Sequence, residues 1–271
     1  MMSKIKIVSI DIDGTLLNDQ HKITPEVKLA IQQAAAKGVK IVITTGRPLP
    51  GVRDILAELN LLGDDQYVIT YNGGLLQTTN GNKTLFNQPL SLDRFRDINA
   101  FMTEQQIYVQ VETKDAAYTT HHKIHTWASH ENSLVKLPLF IVDTESQLER
   151  VKFIKAIANA ESDELDAVQA IIPAKISETV NVIRSTANNL EFIDQRASKG
   201  NALLALAELL SVDPSETMAI GDQENDRSML EVAGVSVAMG NAIPSIKAIA
   251  EFETVTNNDS GVAHALKKYV L

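Results

Sequence analysis

The sequence predicts an α/β core built on a doubly wound parallel sheet, interrupted by an inserted α+β domain. Three observations carry this expectation. Over the first 80 or so residues, short β-rich runs alternate with helical patterns, the mark of strand–helix–strand units. The same rhythm returns after residue 190. Between the two stretches the pattern is mixed, with short strands that look hairpin-connected. The expected boundaries are residues 1–83 and 190–271 for the discontinuous core and 84–189 for the insert.

Each element has a local reason. Residues 4–10 read as a first strand, with Ile5, Ile7, Val8 and Ile10 apolar. Thr24-Pro25 opens a helix, a capping hydroxyl followed by proline at the first helical position, and Gly38 closes it. Residues 39–43 form a nearly all-apolar strand, as expected when both faces are covered. Val52, Ile55, Leu56 and Leu59 repeat at helical spacing, and residues 67–70 are a third strand. Asn72-Gly73-Gly74 and Asn80-Gly81-Asn82 are turn signals. In the middle, residues 107–112, 139–143, 166–171 and 179–183 read as strands, and 93–104 and 146–160 as helices. After residue 190, helices are expected over 198–210, 225–232, 244–250 and 261–269, with strands at 217–220, 235–238 and 253–256.

Composition narrows the chemistry. The chain has 271 residues, 44% hydrophobic and 22% charged, which fits a globular protein with ample core. A net charge of −9 with no basic run makes a poor binder of nucleic acid or anionic membrane. No cysteine is present, so disulfides, thiolate metal sites and cysteine nucleophiles are excluded. No apolar run approaches the ~18 residues of a membrane span. Asp11 and Asp13 interrupt what could have been the apolar stretch of a signal peptide, so residence in the cytoplasm is expected.

The strongest chemical signal is Asp11-Ile12-Asp13-Gly14-Thr15-Leu16 at the end of the first strand. Open α/β sheets bind ligands at the carboxyl ends of their strands. Two carboxylates two residues apart repel unless a cation or proton intervenes. The same spacing also occurs in calcium loops and plain turns. Thr44-Thr45-Gly46-Arg47 follows the second strand and is either an oxyanion-binding edge or a helix cap. Ser198-Lys199-Gly200 puts a lysine at a helix start, where the helix dipole disfavours it unless an anion is near. Gly221-Asp222-Gln223-Glu224-Asn225-Asp226 gathers acids and amides after another strand. In the insert, His121 and His125 have a spacing that on a helix could chelate metal, but no third ligand stands out; a polar loop or a face touching the leaving group fits better.

DIDGTL, TTGR, SKG and GDQEND resemble, in that order, the four motifs of the haloacid dehalogenase (HAD) superfamily. The insertion between the second and third is similar to the type IIB (C2B) cap of the Cof-type phosphatases. The likeness to bacterial YidA-type sugar phosphatases runs through VITTGRPLPGV, YVITYNGG, ETMAIGDQEND, GVSVAMGNAIPSIK and GVAHALKKYVL. It is specific in both core segments and weaker in the cap. The resemblance implies a Rossmann-like HAD core with a C2B cap that chooses the substrate. It also implies a Mg²⁺-dependent phosphatase acting on small phosphomonoesters, sugar phosphates foremost.

Residue by residue, the resemblance implies Asp11 as nucleophile, giving an aspartyl-phosphate, and Asp13 as general acid–base. Mg²⁺ would take the Asp11 carboxylate, the Asp13 backbone carbonyl and Asp222. Thr45, the Gly46 N–H and the Ile12 backbone would hold phosphoryl oxygens, with Lys199 and Asn225 also reaching the phosphate. Asp226 would act from behind, and Arg47 would touch substrate or pair with a core carboxylate. The implied partner is a small phosphorylated molecule, with no nucleic acid and no membrane, and the protein a monomer or homodimer. A phosphosugar mutase of the same superfamily is the alternative within this chemistry. A dehalogenase would not need Asp13. A phospho-accepting signalling module would have no inserted cap, and a pure binding module would have no use for the acid pair.

Overall fold

The computed structural model describes residues 5–271, so residue 4 of the expected first strand lies outside the described residues. The chain divides into two compact units. One comprises the residues up to Thr45 together with Arg53–Phe86 and Ser198–Leu271; the other comprises Gly46–Val52 and Asn87–Ala197.

The first unit opens with β1 (Ile7–Ile10), α1 (Pro25–Ala36), β2 (Lys40–Thr44), α2 (Arg53–Glu58) and β3 (Tyr67–Thr70). Thr24 caps α1, its side chain accepting from the Val27 N–H, with Pro25 beginning the helix. β1 and β3 are buried along their whole length, which is what strands covered on both faces require. β3 turns back antiparallel into β4 (Leu75–Thr78), and β5 (Thr84–Asn87) closes this edge.

The second unit follows in chain order: α3 (Leu92–Glu104), β6 (Tyr108–Glu112), β7 (Ala117–Thr119), α4 (Thr126–Leu134), β8 (Leu139–Ile141), β9 (Lys155–Asn159), α5 (Ser162–Ala170), α6 (Ala174–Ser177), β10 (Val180–Thr186) and β11 (Asn189–Asp194). Its six strands run in the order β10-β11-β9-β6-β7-β8. They pair antiparallel except β7 with β8, which α4 separates and which are parallel. One face of this sheet is apolar: Val109, Val111, Ala156, Ala158, Leu190 and Phe192 pack in one core with Phe95, Ile98 and Met102 of α3 and Leu165 and Val168 of α5.

Two sequence readings in this unit are corrected. Residues 146–160 do not form a helix. A short 3₁₀ turn (Glu145–Leu148) is followed by strand β9. Residues 166–171 are not a strand: 166–170 are the second half, and Ile171 the C-cap, of α5. Its start is fixed by a capping box, with the Glu161 backbone N–H donating to the Glu164 side chain, and its buried residues Leu165 and Val168 keep helical spacing.

The chain then returns to the first unit through α7 (Lys199–Leu209), β12 (Thr217–Gly221), α8 (Arg227–Val232), β13 (Val235–Ala238), α9 (Pro244–Lys247), β14 (Phe252–Glu253) and α10 (Gly261–Tyr269). The helix expected from residue 225 starts two residues later, because Glu224–Asp226 forms a separate 3₁₀ turn. The eight strands are ordered β14-β13-β12-β1-β2-β3-β4-β5, all parallel from β14 to β3. The strand order reverses at β1. The chain leaves it toward β2 and comes back on its other side as β12, which makes the carboxyl end of β1 the crevice where such sheets receive ligands. The register keeps this edge level: Ile10 pairs with both Ile43 and Ile220.

Candidate active site

The residues that continue past this level edge are Asp11 after β1, Thr45 after β2 and Asp222 after β12. The Asp11 N–H still donates to the Ile220 carbonyl at 3.1 Å, extending the ladder by one residue. A tight turn follows. The Thr15 and Leu17 N–H groups donate to the Ile12 carbonyl, at 3.3 and 3.0 Å, and the Leu16 N–H to the Asp11 carbonyl at 3.2 Å. Gly14 has φ +81, and a Cβ there would strike the Asp222 carboxylate. Only glycine meets both conditions cheaply. Asp11 is buried and Asp13 is exposed on the same turn.

Lys199, the first residue of α7, has a fully buried side chain. Its ammonium donates to Asp11 Oδ1 at 2.5 Å and to Asp226 Oδ1 at 2.6 Å. That explains a lysine at a helix start: the carboxylates it faces outweigh the dipole. Asp226 spends its other oxygen, Oδ2, on the backbone N–H groups of Asp222 and Gln223, at 2.8 and 3.0 Å. Asp222 accepts from the Thr15 hydroxyl at 2.8 Å and from Gln223 Nε2 at 3.2 Å. Carboxylate oxygens of Asp11, Asp222 and Asp226 lie within 4.8 Å of one another.

Of the other sequence-predicted residues, Ile12 is buried in the same turn. Thr45 is buried, with its N–H donating to the Ile69 carbonyl at 2.9 Å. Asn225 is half-buried, its amide donating to Asn72 Oδ1 at 3.1 Å. Gly46 and Arg47 continue the chain from Thr45, are half-buried, and fall in the Gly46–Val52 segment of the second unit. The histidine pair does not sit on a helix. His125 caps α4, its Nδ1 accepting from the Trp127 N–H at 3.3 Å, while His121 precedes the helix and lies against the Tyr108 ring. Among the described residues, the three aspartates are the only group of three or more metal-ligating side chains.

The sequence profile of the haloacid dehalogenase-like hydrolases matches residues 8–266. A protein of Streptococcus pyogenes serotype M6 is 41% identical over 267 residues, spanning 98% of this chain and 99% of its own. The chain belongs to the haloacid dehalogenase-like hydrolases. A Bacillus subtilis relative, 5-amino-6-(5-phospho-D-ribitylamino)uracil phosphatase YcsE, is 31% identical over 269 residues, 98% of this chain and 96% of that one. The crystal structure of a haloacid dehalogenase-like hydrolase from Bacteroides thetaiotaomicron superposes with a TM-score of 0.86 at 25% identity, covering 97% of this chain and 99% of that one. Within the superfamily this hydrolase is a phosphatase, a phosphoric monoester hydrolase.

The hydrolase's site holds an acidic cluster that could take a metal ion. Burial, reinforced by the like charges of Asp226 and Asp222, raises the Asp11 carboxyl well above its ordinary range despite the pull of Lys199. Burial, with the charge of Asp226, pushes Asp222 up to about 6. Burial alone would lower Lys199, but Asp11 and Asp226 overrule it and hold the ammonium charged. Three buried carboxyl groups thus crowd one buried ammonium, and a divalent cation among them would favour their charged forms. The donors are all hard oxygens, which suits Mg²⁺.

Two contributors escaped the sequence reading. Thr15 orients Asp222, and the TL that closes the DIDGTL motif was the available signal. Asn72 meets Asn225; in the sequence it reads as a turn residue and nothing more.

Proposed function

We propose that this phosphatase is Mg²⁺-dependent, hydrolyses small phosphomonoesters of sugars and polyols, and works through a phosphorylated Asp11. The observation that carries the proposal is the buried Asp11 carboxylate, gripped by Lys199 2.5 Å away at the end of β1, with Asp222 on the neighbouring strand end. Asp11 presents one oxygen to Lys199 and keeps the other for attack on phosphorus. As the Asp11–phosphorus bond forms, the bond to the ester oxygen breaks, and Asp13 gives that oxygen its proton to release the alcohol. Asp13 is exposed on the turn, open to exchange with solvent. It then removes a proton from water, which attacks phosphorus. The Asp11–phosphorus bond breaks, and inorganic phosphate leaves with Asp11 restored.

Mg²⁺, held by the Asp11 carboxylate, the Asp13 carbonyl and Asp222, would supply neutralisation of the phosphoryl oxygens. Lys199 favours the charged form of Asp11 and holds it in place, and Asp226 holds Lys199. Thr45, Gly46, Asn225 and the Ile12 backbone are the donors proposed for the phosphoryl group, and Arg47 is proposed to touch the rest of the substrate. Residues Asn87–Ala197 are proposed as the cap that selects the alcohol. The Bacillus subtilis relative, named for a phosphorylated ribityl compound, supports polyol phosphates as the class.

The test is phosphate release from a panel of sugar phosphates, polyol phosphates and nucleotides, with Mg²⁺ and with chelator. Sugar and polyol phosphates should lead, and chelator should stop release. Asp11→Asn should reduce turnover to background in a protein that still unfolds cooperatively. Near-normal turnover by that variant would refute the nucleophile.

A further inference from the structure

The turn between β3 and β4 is built from backbone that side chains seldom adopt. Tyr71 has φ 55, Asn72 φ 53 and Gly73 φ 91. Asparagine tolerates this left-handed region, while a bulky residue such as tyrosine is rarely found there. Such a turn persists only where its surroundings hold it, and here they are the site itself. The Asn72 N–H donates to the Thr45 carbonyl at 2.9 Å. Asn72 Oδ1 accepts from Asn225 Nδ2 at 3.1 Å. A Cβ on Gly73 would overlap the Ser198 carbonyl and stand 2.7 Å from the Lys199 nitrogen. One three-residue turn therefore touches the chain at Thr45, at Ser198-Lys199 and at Asn225.

We infer that Asn72 is a positioning residue for the phosphoryl group, acting through Asn225 and Thr45. This rests on the reading above that those two residues grip the phosphate. A primary amide has two N–H donors. Tying one of the Asn225 donors to Asn72 fixes the rotation of the amide plane and leaves the second donor for an anion oxygen. The backbone bond to Thr45 fixes the end of β2 at the same time. Asn72 is itself buried, 3% exposed, so it acts from behind these groups and does not touch the substrate.

The experiment compares wild type, Asn72→Gly, Asn225→Ala and the double variant. Glycine takes the same backbone without strain, so Asn72→Gly removes the amide and keeps the turn. Turnover of 4-nitrophenyl phosphate with Mg²⁺ gives kcat and KM, and thermal unfolding with and without orthovanadate gives anion binding apart from catalysis. Asn72→Gly should lose about tenfold in kcat/KM, as befits one hydrogen bond, and a matching part of its protection by orthovanadate. Its unliganded unfolding temperature should stay near that of wild type. The double variant should be no worse than Asn225→Ala, because both changes cut one connection.

Losses that multiply in the double variant, or an Asn72→Gly enzyme within twofold of wild type beside a crippled Asn225→Ala, overturn the inference. Full activity in Asn225→Ala instead overturns the prior reading that Asn225 grips phosphate.

Discussion

Replacing Lys199 by methionine isolates the fully buried cation of the site. The ammonium has two carboxylate oxygens at 2.5 and 2.6 Å. Two unit charges 4 Å apart attract by roughly 4 kcal/mol at an effective dielectric near 20, and the inverse-distance law takes each of these contacts to about 6 kcal/mol. Most of that offsets the desolvation of the lysine. The net loss on removing one partner of a buried ion pair is about 3–5 kcal/mol, and proton uptake by the stranded carboxylates brings it to the lower end. That is the cost to the fold; the rate falls because the ammonium is also withdrawn from the transition-state charge, and about 3 kcal/mol lost there lowers the rate by roughly two orders of magnitude. The assay is kcat/KM for 4-nitrophenyl phosphate at saturating Mg²⁺, with thermal unfolding to establish that the variant is folded. A folded Lys199→Met enzyme within threefold of wild type would show that the ammonium does not serve Asp11, and the reasoning from the ion pair would fail.

Two other outcomes follow from local geometry. Gly14→Ala combines strain at φ +81 with a Cβ against the Asp222 carboxylate. Strain of this kind costs about 1–3 kcal/mol, so Mg²⁺ affinity by calorimetry should drop about tenfold or more, and unchanged affinity would separate Asp222 from the metal. In the second unit, burial pushes the Asp194 carboxyl up, but hydrogen bonds from Arg196 and the charges of Arg196 and Arg94 outweigh it and hold it below its ordinary value. A carboxylate lowered on folding stabilises above its unfolded pKa and loses that contribution as pH falls through its folded one. Asp194→Asn should cost about 1–3 kcal/mol near neutral pH, with the difference in thermal unfolding vanishing in strong acid; a gap that persists there would contradict the assignment.

The core was readable because each element carried its own local cause. Thr24-Pro25 marks the start of α1, the level apolar runs mark parallel strands, and glycine placement marks the turns. The acid pair at Asp11 and Asp13 and the cluster from Asp222 to Asp226 were legible because charge at a strand's carboxyl end is costly without purpose. The insert was harder for a physical reason. In β9 both faces are buried, one apolar through Ala156 and Ala158 and one polar through Lys155 and Asn159. A buried lysine imitates the exposed side of a helix, so residues 146–160 read as helical. Asn72 was invisible for another reason: its partner Asn225 lies far along the chain, and neither residue alone differs from any turn asparagine.

The polar face of the second sheet also guards the way its strands align. Lys155 pairs in register with Glu112 across β9 and β6, at 3.4 Å, and reaches Glu191 of β11 at 3.0 Å. Beside them, Gln110 and Asn132 exchange two hydrogen bonds, and Asn159 donates to Asn189. A slip of one residue turns every side chain of a strand to the opposite face. Here it would drive an ammonium among phenylalanines and leave two glutamates without a counterion. A misaligned sheet would bury these charges unpaired, a cost of several kcal/mol that the aligned register avoids.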